Sequence, residues 1–238
     1  MAINSAKNIL VGASPLYLST KDSTVTDGTY VENMLEAGTI AFTKGAKASV
    51  ALDASASVRN VGFTNNGLQI TYNPTYDSVT VDQLLDTAKL FKSAMEVMIA
   101  TELAEGTLTN VLAVFGQGVS TLTKNGSAST DAYPTKGATS ADNVDLTLGM
   151  EAGALGIQPV ERQLFAVGQA PTLAKSSSSE VSATTERVYY ARRVLSVQQS
   201  QFSLARNAAS TFPVTFRLLP DNAYAGSEYG KIIDRVCA

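Results

Sequence analysis

The stretch SAMEVMIATELAEGTLTNVLAVFG, Ser93 to Gly116, admits two readings. Its content of Ala, Met, Glu and Leu fits one long helix. Its order does not. On a strand, Met95, Val97, Ile99 and Leu103 share one face with Thr101 between them, while Glu96, Met98, Ala100, Glu102 and Ala104 share the other. On a helix, Glu96, Glu102 and Glu105 scatter around the axis, and no polar side forms. Beyond Gly106 the period changes, and Leu108, Val111, Leu112 and Phe115 recur at helical spacing. Thr107 is placed to cap the start of a helix and Gly116 to end it. The stretch is therefore expected to be a one-sided strand, a turn and a short amphipathic helix.

The flanking sequence extends this β reading. In VRNVGFTNNGLQITYNP, residues 58–74, Leu68, Ile70 and Tyr72 alternate with polar residues after the turn dipeptide Asn66-Gly67, which predicts a half-buried strand over 68–72. Between the two strands, residues 73–90 are polar enough to read as an exposed, protruding loop. Residues 1–38 read as an N-terminal arm, with a short apolar opening at 9–19 and a helical turn pair in VENMLEAG ending at Gly38. Residues 39–53 read as short strand pieces interrupted at Gly45. Residues 117–145, rich in Ser, Thr, Gly and Asn, read as a hairpin or long loop. ERQLFAVGQAP, from Glu161, predicts a buried strand closing at Pro171. The Ser-rich run around Ser176–Ser179 predicts a mobile loop. Residues 187–221 give further β segments that end at Pro220-Asp221. No linker divides the chain, so residues 1–238 are expected to form a single, mainly β domain.

Composition narrows the chemistry. The chain has 238 residues, 45% hydrophobic and only 16% charged, with net charge −3 and no histidine. A core is affordable, and the low surface charge fits a surface covered by partners. Without histidine, the commonest general base, His-bearing zinc sites and the usual nucleophile triads are gone. The single Cys237 excludes an internal disulfide. No apolar run reaches the roughly 20 residues that span a bilayer, and the N-terminus lacks a secretory pattern, which predicts a protein kept in the cytoplasm of the producing cell. The glycines of GAKASV and GQGVSTLTKNGS lack phosphate-loop spacing. Asp82 with Asp86, and Glu102 with Glu105, are poor carboxylate pairs, since Glu102 and Glu105 would point to opposite strand faces. Tyr189-Tyr190 beside Arg192-Arg193 fits sheet packing better than base stacking. Zero Trp argues against a carbohydrate platform. No enzymatic activity, metal or cofactor is expected.

Charge is unevenly distributed. Asp77, Asp82, Asp86, Glu96, Glu102 and Glu105 face only Lys89 and Lys92 in their part of the chain, whereas Arg187, Arg192, Arg193, Arg206 and Arg217 occur in a stretch with no acid. These are either two solvated surfaces of one domain or complementary faces that meet between copies.

Taken in order, four segments resemble the major tail tube proteins of long-tailed bacteriophages: VGFTNNGLQITYNP, SVTVDQLLDTAK with its Asp82-Gln83 dipeptide, MEVMIATELAEGTLTNVLAVFG with Glu105 after the strand, and TFPVTFRLLPDNAYAGSEYGKIID. They are spread over the interval from Val61 to Asp234 and together hold 72 of the 238 residues; TYVENMLEAG and the Ser-rich run depart from the pattern. The resemblance implies a β-sandwich or barrel-like fold with a flanking helix. It implies a virion protein, made in the host bacterial cytoplasm, that forms hexameric rings stacked into a hollow tube. Its partners would be further copies of itself, a tape measure protein, and terminator and tip proteins, with genomic DNA passing through an acidic lumen that does not hold it. On that reading Glu96 and Glu102 are lumen or intersubunit candidates. Tyr76, Asp77, Asp82, Gln83 and Asp86 are candidates for contacts between stacked rings, and Arg187, Arg192, Arg193, Arg206 and Arg217 for a basic intersubunit face. A tail terminator, a baseplate ring protein and the tube of a related injection machine are the alternatives within the same class.

Overall fold

The structure, a computed structural model, describes residues 14–19, 58–82, 86–118, 122–128, 143–148, 160–170, 184–198, 200–202, 204, 206 and 209–237. The fold is mainly β with one short helix among these residues. Its elements are β1 (Leu16–Ser19), β2 (Val58–Asn60), β3 (Thr64–Thr80), β4 (Thr87–Leu103), α1 (Leu108–Val114), β5 (Leu122–Lys124), β6 (Ser127–Ala128), β7 (Val144–Leu146), β8 (Arg162–Gln169), β9 (Thr184–Ser196), β10 (Phe212–Leu218) and β11 (Gly230–Cys237). No helix among the described residues is long and apolar enough to cross a membrane.

Eight strands form one antiparallel sheet in the order β2-β1-β8-β9-β10-β4-β3, with β11 also paired to β9; β5, β6 and β7 form a small second sheet. β9 is long enough to serve two partners along one edge. Its residues Thr184–Ala191 pair with β11, and Val194–Ser196 pair with β10. The first and last strands of the order, β2 and β3, are joined by only Val61–Phe63. That linker spans roughly 14 Å at most, so the sheet must curl until its ends nearly meet. Backbone bonds hold the closure: Val61 N donates to Leu16 O at 2.9 Å, and Ala104 N donates to Phe63 O at 2.8 Å.

The opening stretch folds as its two periods require. β4 runs to Leu103, with Val97, Ile99, Thr101 and Leu103 buried, and Thr107 then caps α1, its side chain accepting from Asn110 N. At the other end Gly116 is left-handed (φ 66°), Gly116 N donates to Ala113 O and Gln117 N to Leu112 O. This paired closure stops the helix by satisfying carbonyls that have no partner further on. α1 buries Ala113 and Val114 against Leu16, Leu18, Leu164, Ala166, Val194, Phe212, Val214 and Phe216, the main core. Each fully buried Leu, Val or Phe in that cluster contributes about 2 kcal/mol. β8 and β9 are covered on both faces. Leu164 and Ala166 face the main core, whereas Phe165 stacks on Tyr190 with ring centroids 4.7 Å apart on the opposite side.

The helix turns a different face inward from the one its apolar period predicts. Leu108 and Val111 are only half-buried, and the polar Asn110 is 1% exposed. Asn110 is the knot where three segments meet. Its Nδ2 donates to Val61 O (2.8 Å) and Glu105 O (2.9 Å), and its Oδ1 accepts from Arg59 Nη1 (2.6 Å). Glu105 completes the knot by accepting from Phe63 N at 3.0 Å. An Asn110→Ala variant is expected to lose about 2–3 kcal/mol, because buried carbonyls lose their donors. Urea unfolding with an unchanged slope and a lowered midpoint would be the observed signature.

Four expectations need correction. Leu16–Ser19 is not part of an arm. It is a buried strand between β2 and β8, seated there because Leu16, Tyr17 and Leu18 each find an apolar neighbour on one face or the other. The Asn66-Gly67 dipeptide does not reverse the chain. Both residues are left-handed (φ 59° and 69°) and form a bulge that sets three residues of β3 against Thr101 alone. The 68–72 strand exists, yet Ile70 and Tyr72 are exposed. Residues 73–90 are not a loop over most of their length but the outer half of the β3–β4 hairpin. The VENMLEAG turn pair, the pieces at 39–53, Gln83 and the Ser176–Ser179 run lie outside the described residues.

Candidate assembly surface

β3 and β4 are 17 residues each and pair from Thr64↔Leu103 to Thr80↔Thr87, with the register shifting between Asn65 and Gln69, at Thr75/Tyr76 and at Val79/Thr80. Only the inner end of this ribbon touches the body. The pairs Ile70↔Ile99, Tyr72↔Val97 and Pro74↔Met95 place these side chains on the same face as the core. Val97 and Ile99 are buried beside β10, but β3 lies one strand further out, and Ile70 and Tyr72 on its side of the row are exposed. Beyond Asn73↔Glu96 the ribbon leaves the body, and the described residues from Thr75 to Asp82 and from Asp86 to Ala94 are all exposed. This free part is about 30 Å long at ~3.3 Å per residue.

An irregularity between Thr75 and Tyr76 leaves Ser93 as an extra residue on β4. Tyr76, its partner Lys92 and then Leu90 therefore continue the core face. Lys92 confirms this geometry: Nζ donates to Tyr72 OH at 3.1 Å, approaches Met95 Sδ at 3.3 Å and sits over the Tyr72 ring. The hydrogen bond to Tyr72 holds the Lys92 ammonium above its ordinary pKa. The result is an unburied apolar row, with Ile70, Tyr72, Tyr76 and Leu90 exposed by 43%, 57%, 57% and 65%. Val79 and Phe91 add exposed apolar surface on the opposite face. Among the described residues β3 has no strand on its outer edge. A two-stranded ribbon with no third strand and no core is marginal in water, and an open, partly apolar edge is a template for pairing.

The ring-contact candidates all lie on this ribbon except Gln83, which is outside the described residues. Tyr76 and Asp77 are on the outer part of β3 and point to opposite faces. Asp82 and Asp86 flank the tip, where Asp86 Oδ1 accepts from Thr87 N at 2.6 Å. Glu96 and Glu102 lie on the outer face of β4. Glu96 makes a 3.7 Å ion pair with Arg217, and Glu102 accepts from Asn65 Nδ2 at 3.2 Å. Both are half-buried in the single chain.

The five arginines do not form one face. Arg187 makes a two-pronged pair with Asp234 (2.6 and 2.7 Å), and Arg193 makes another with Glu161 (2.6 and 2.7 Å). Arg192 is fully buried, its guanidinium 3.7 Å from the Tyr224 ring centre and donating to Ser227 O and Oγ. Arg217 is occupied by Glu96, and only Arg206 is exposed outside these contacts. Acids distant in sequence neutralise the run locally. Glu161 lies 32 residues from Arg193, and Asp234 lies 47 from Arg187.

The Arg187–Asp234 pair fastens β11 to β9. Hydrogen bonding to Arg187 lowers the Asp234 carboxyl below its ordinary pKa. Because the folded value is depressed, the stabilisation is present above the unfolded value of about 4 and is lost as pH falls through the folded one. The pair is exposed, so the effect is local and small. Amide exchange in β11 is expected to accelerate at acidic pH relative to β10, and an Asp234→Asn variant should abolish that difference.

A depression of about 260 Å³ opens on the outer face beside the Asn66-Gly67 bulge. Its walls carry amides, hydroxyls and the Glu102 carboxylate. No family model matches the chain, and no curated protein matches it either.

Proposed function

We propose that this protein is a structural subunit that assembles with copies of itself into stacked hexameric rings, forming a hollow tail tube through which phage DNA passes. The observation that carries the reading is the β3–β4 ribbon, an arm about 30 Å long that projects the core face beyond the body and leaves it bare. A monomer gains nothing from such an arm. In a ring or a stack, a neighbour covers the row Ile70, Tyr72, Tyr76 and Leu90 and completes the open β3 edge. The resemblance of the ordered segments to tail tube proteins supplies the kind of assembly. Acidic side chains on the outer β4 face, Glu96 foremost, suit a lumen that repels passing phosphates.

Sedimentation velocity over a concentration series tests this reading. Wild-type protein is expected to convert to large species as concentration rises. A Tyr72→Ser, Tyr76→Ser, Leu90→Ser variant, with every change on the exposed row, is expected to stay monomeric and folded. A wild type that remains a monomer at every concentration would rule the reading out.

A further inference from the structure

The depression beside the bulge holds one carboxylate, Glu102, among polar groups. Asn66, Gln69, Gln198, Ser200 and Thr215 lie around Glu102, with Ala100 and Pro213 also in the lining, and among the described residues neither lysine nor arginine lines it. Glu102 is half-buried, and its hydrogen bond from the Asn65 amide is long. A carboxylate partly withdrawn from water and ringed by amide and hydroxyl groups favours a positive partner over a neutral one.

The fold also provides a suitable cation in the wrong place for its own site. Lys89 is exposed, lies near the end of the projecting ribbon, and sits on the strand that bears Glu102. The extra residue at Ser93 shifts the alternation by one, so Lys89 and Glu102 lie on the same face of β4. They are separated by about 43 Å at ~3.3 Å per residue, far beyond the reach of a lysine side chain. Several of the described cations have partners within the chain: Arg187, Arg193 and Arg217 pair with acids, Arg59 with the Asn110 side chain, Arg162 with backbone carbonyls, Arg192 with the Tyr224 ring and Ser227, and Lys92 with the Tyr72 hydroxyl. Arg206 is exposed but does not lie on the ribbon.

We propose that the Glu102 depression of one copy receives Lys89 from the ribbon of a second copy. This rests on the self-assembly reading above and names the contact that sets its register. In a stack the contact runs head-to-tail: each copy presents a lysine at one end of β4 and a receptor at the other, so copies offset along the ribbon repeat it.

Charge exchange tests the contact. Lys89→Glu and Glu102→Lys are each expected to raise the concentration at which assemblies pellet by about tenfold at low salt, through like-charge contact. The double exchange should return it to near the wild-type value, and raising the salt should shrink all of these differences. Thermal melts of each monomer should be unchanged, since one residue is exposed and the other only half-buried. A double exchange no better than the single changes, or Lys89→Met and Glu102→Gln variants that assemble like wild type at low salt, would overturn the contact alone. A wild type that never assembles would overturn the assembly reading and this contact with it.

Discussion

Cutting the ribbon back to the Thr75–Ala94 pair and closing it with Asn-Gly is expected to abolish self-assembly while leaving the melting temperature within about 3 °C of wild type. The expected effect on assembly is total because the removed residues, Tyr76–Ser93, carry both Tyr76 and Leu90 of the bare row and the outermost open edge. The expected effect on stability is small for the same structural reason. Every described residue in that span is exposed, and its ladder bonds join only its own two strands. Asn-Gly suits the closure, since its residues adopt the left-handed pair that a two-residue hairpin requires. Thermal unfolding and negative-stain microscopy on the same preparation separate the two effects. A truncated protein that still forms assemblies would move the interface elsewhere on the molecule.

Replacing Arg192 should have the opposite signature, a large loss of stability. Among the described residues Arg192 is the largest side chain with no exposure to solvent, and its guanidinium lies 3.7 Å from the Tyr224 ring centre while donating to Ser227. These contacts tie the turn between β10 and β11 to the back of β9. Arg192→Ala removes a charged hydrogen-bonding group and a desolvated ring contact together, and leaves a cavity of arginine size. A cost of about 3 kcal/mol is expected, or roughly 6–12 °C in melting temperature for a chain of this length. Arg192→Lys should recover less than half, because an ammonium cannot stack on the ring as a planar guanidinium does. Equilibrium unfolding in urea measures both variants. A loss below about 1 kcal/mol would show that the 219–229 turn region is held by its own backbone bonds.

The residues differ in how much of this they disclose on their own. The β4–α1 junction is legible because two local periods meet at Gly106 and because Thr107 and Gly116 have the chemistry that helix ends need. β8 is legible because an unbroken apolar run suits a strand covered on both faces. The central strand Leu16–Ser19 is not, since four residues after a proline carry no usable period and acquire their place only from β2 and β8. The outer ribbon is not legible as strand for the opposite reason. Pro74 and Asp77 oppose strand formation, and pairing across the hairpin overrides them. The arginine run misleads because its neutralising acids come from remote strands. Asn110 gives no warning at all: a polar residue between apolar ones looks solvent-facing until the loop carbonyls of Val61 and Glu105 arrive beside it. Glu96 and Glu102 are placed together on the outer face of β4 by alternation alone, but the depression at Glu102 depends on the bulge opposite Thr101, which a turn dipeptide in the sequence does not distinguish from a chain reversal.

Electron microscopy of the purified full-length chain at high concentration tests the central claim most directly. Self-assembly through the ribbon predicts open-ended hollow tubes of variable length with a continuous central channel. A uniform population of single monomers, or of closed rings that never stack, would contradict it.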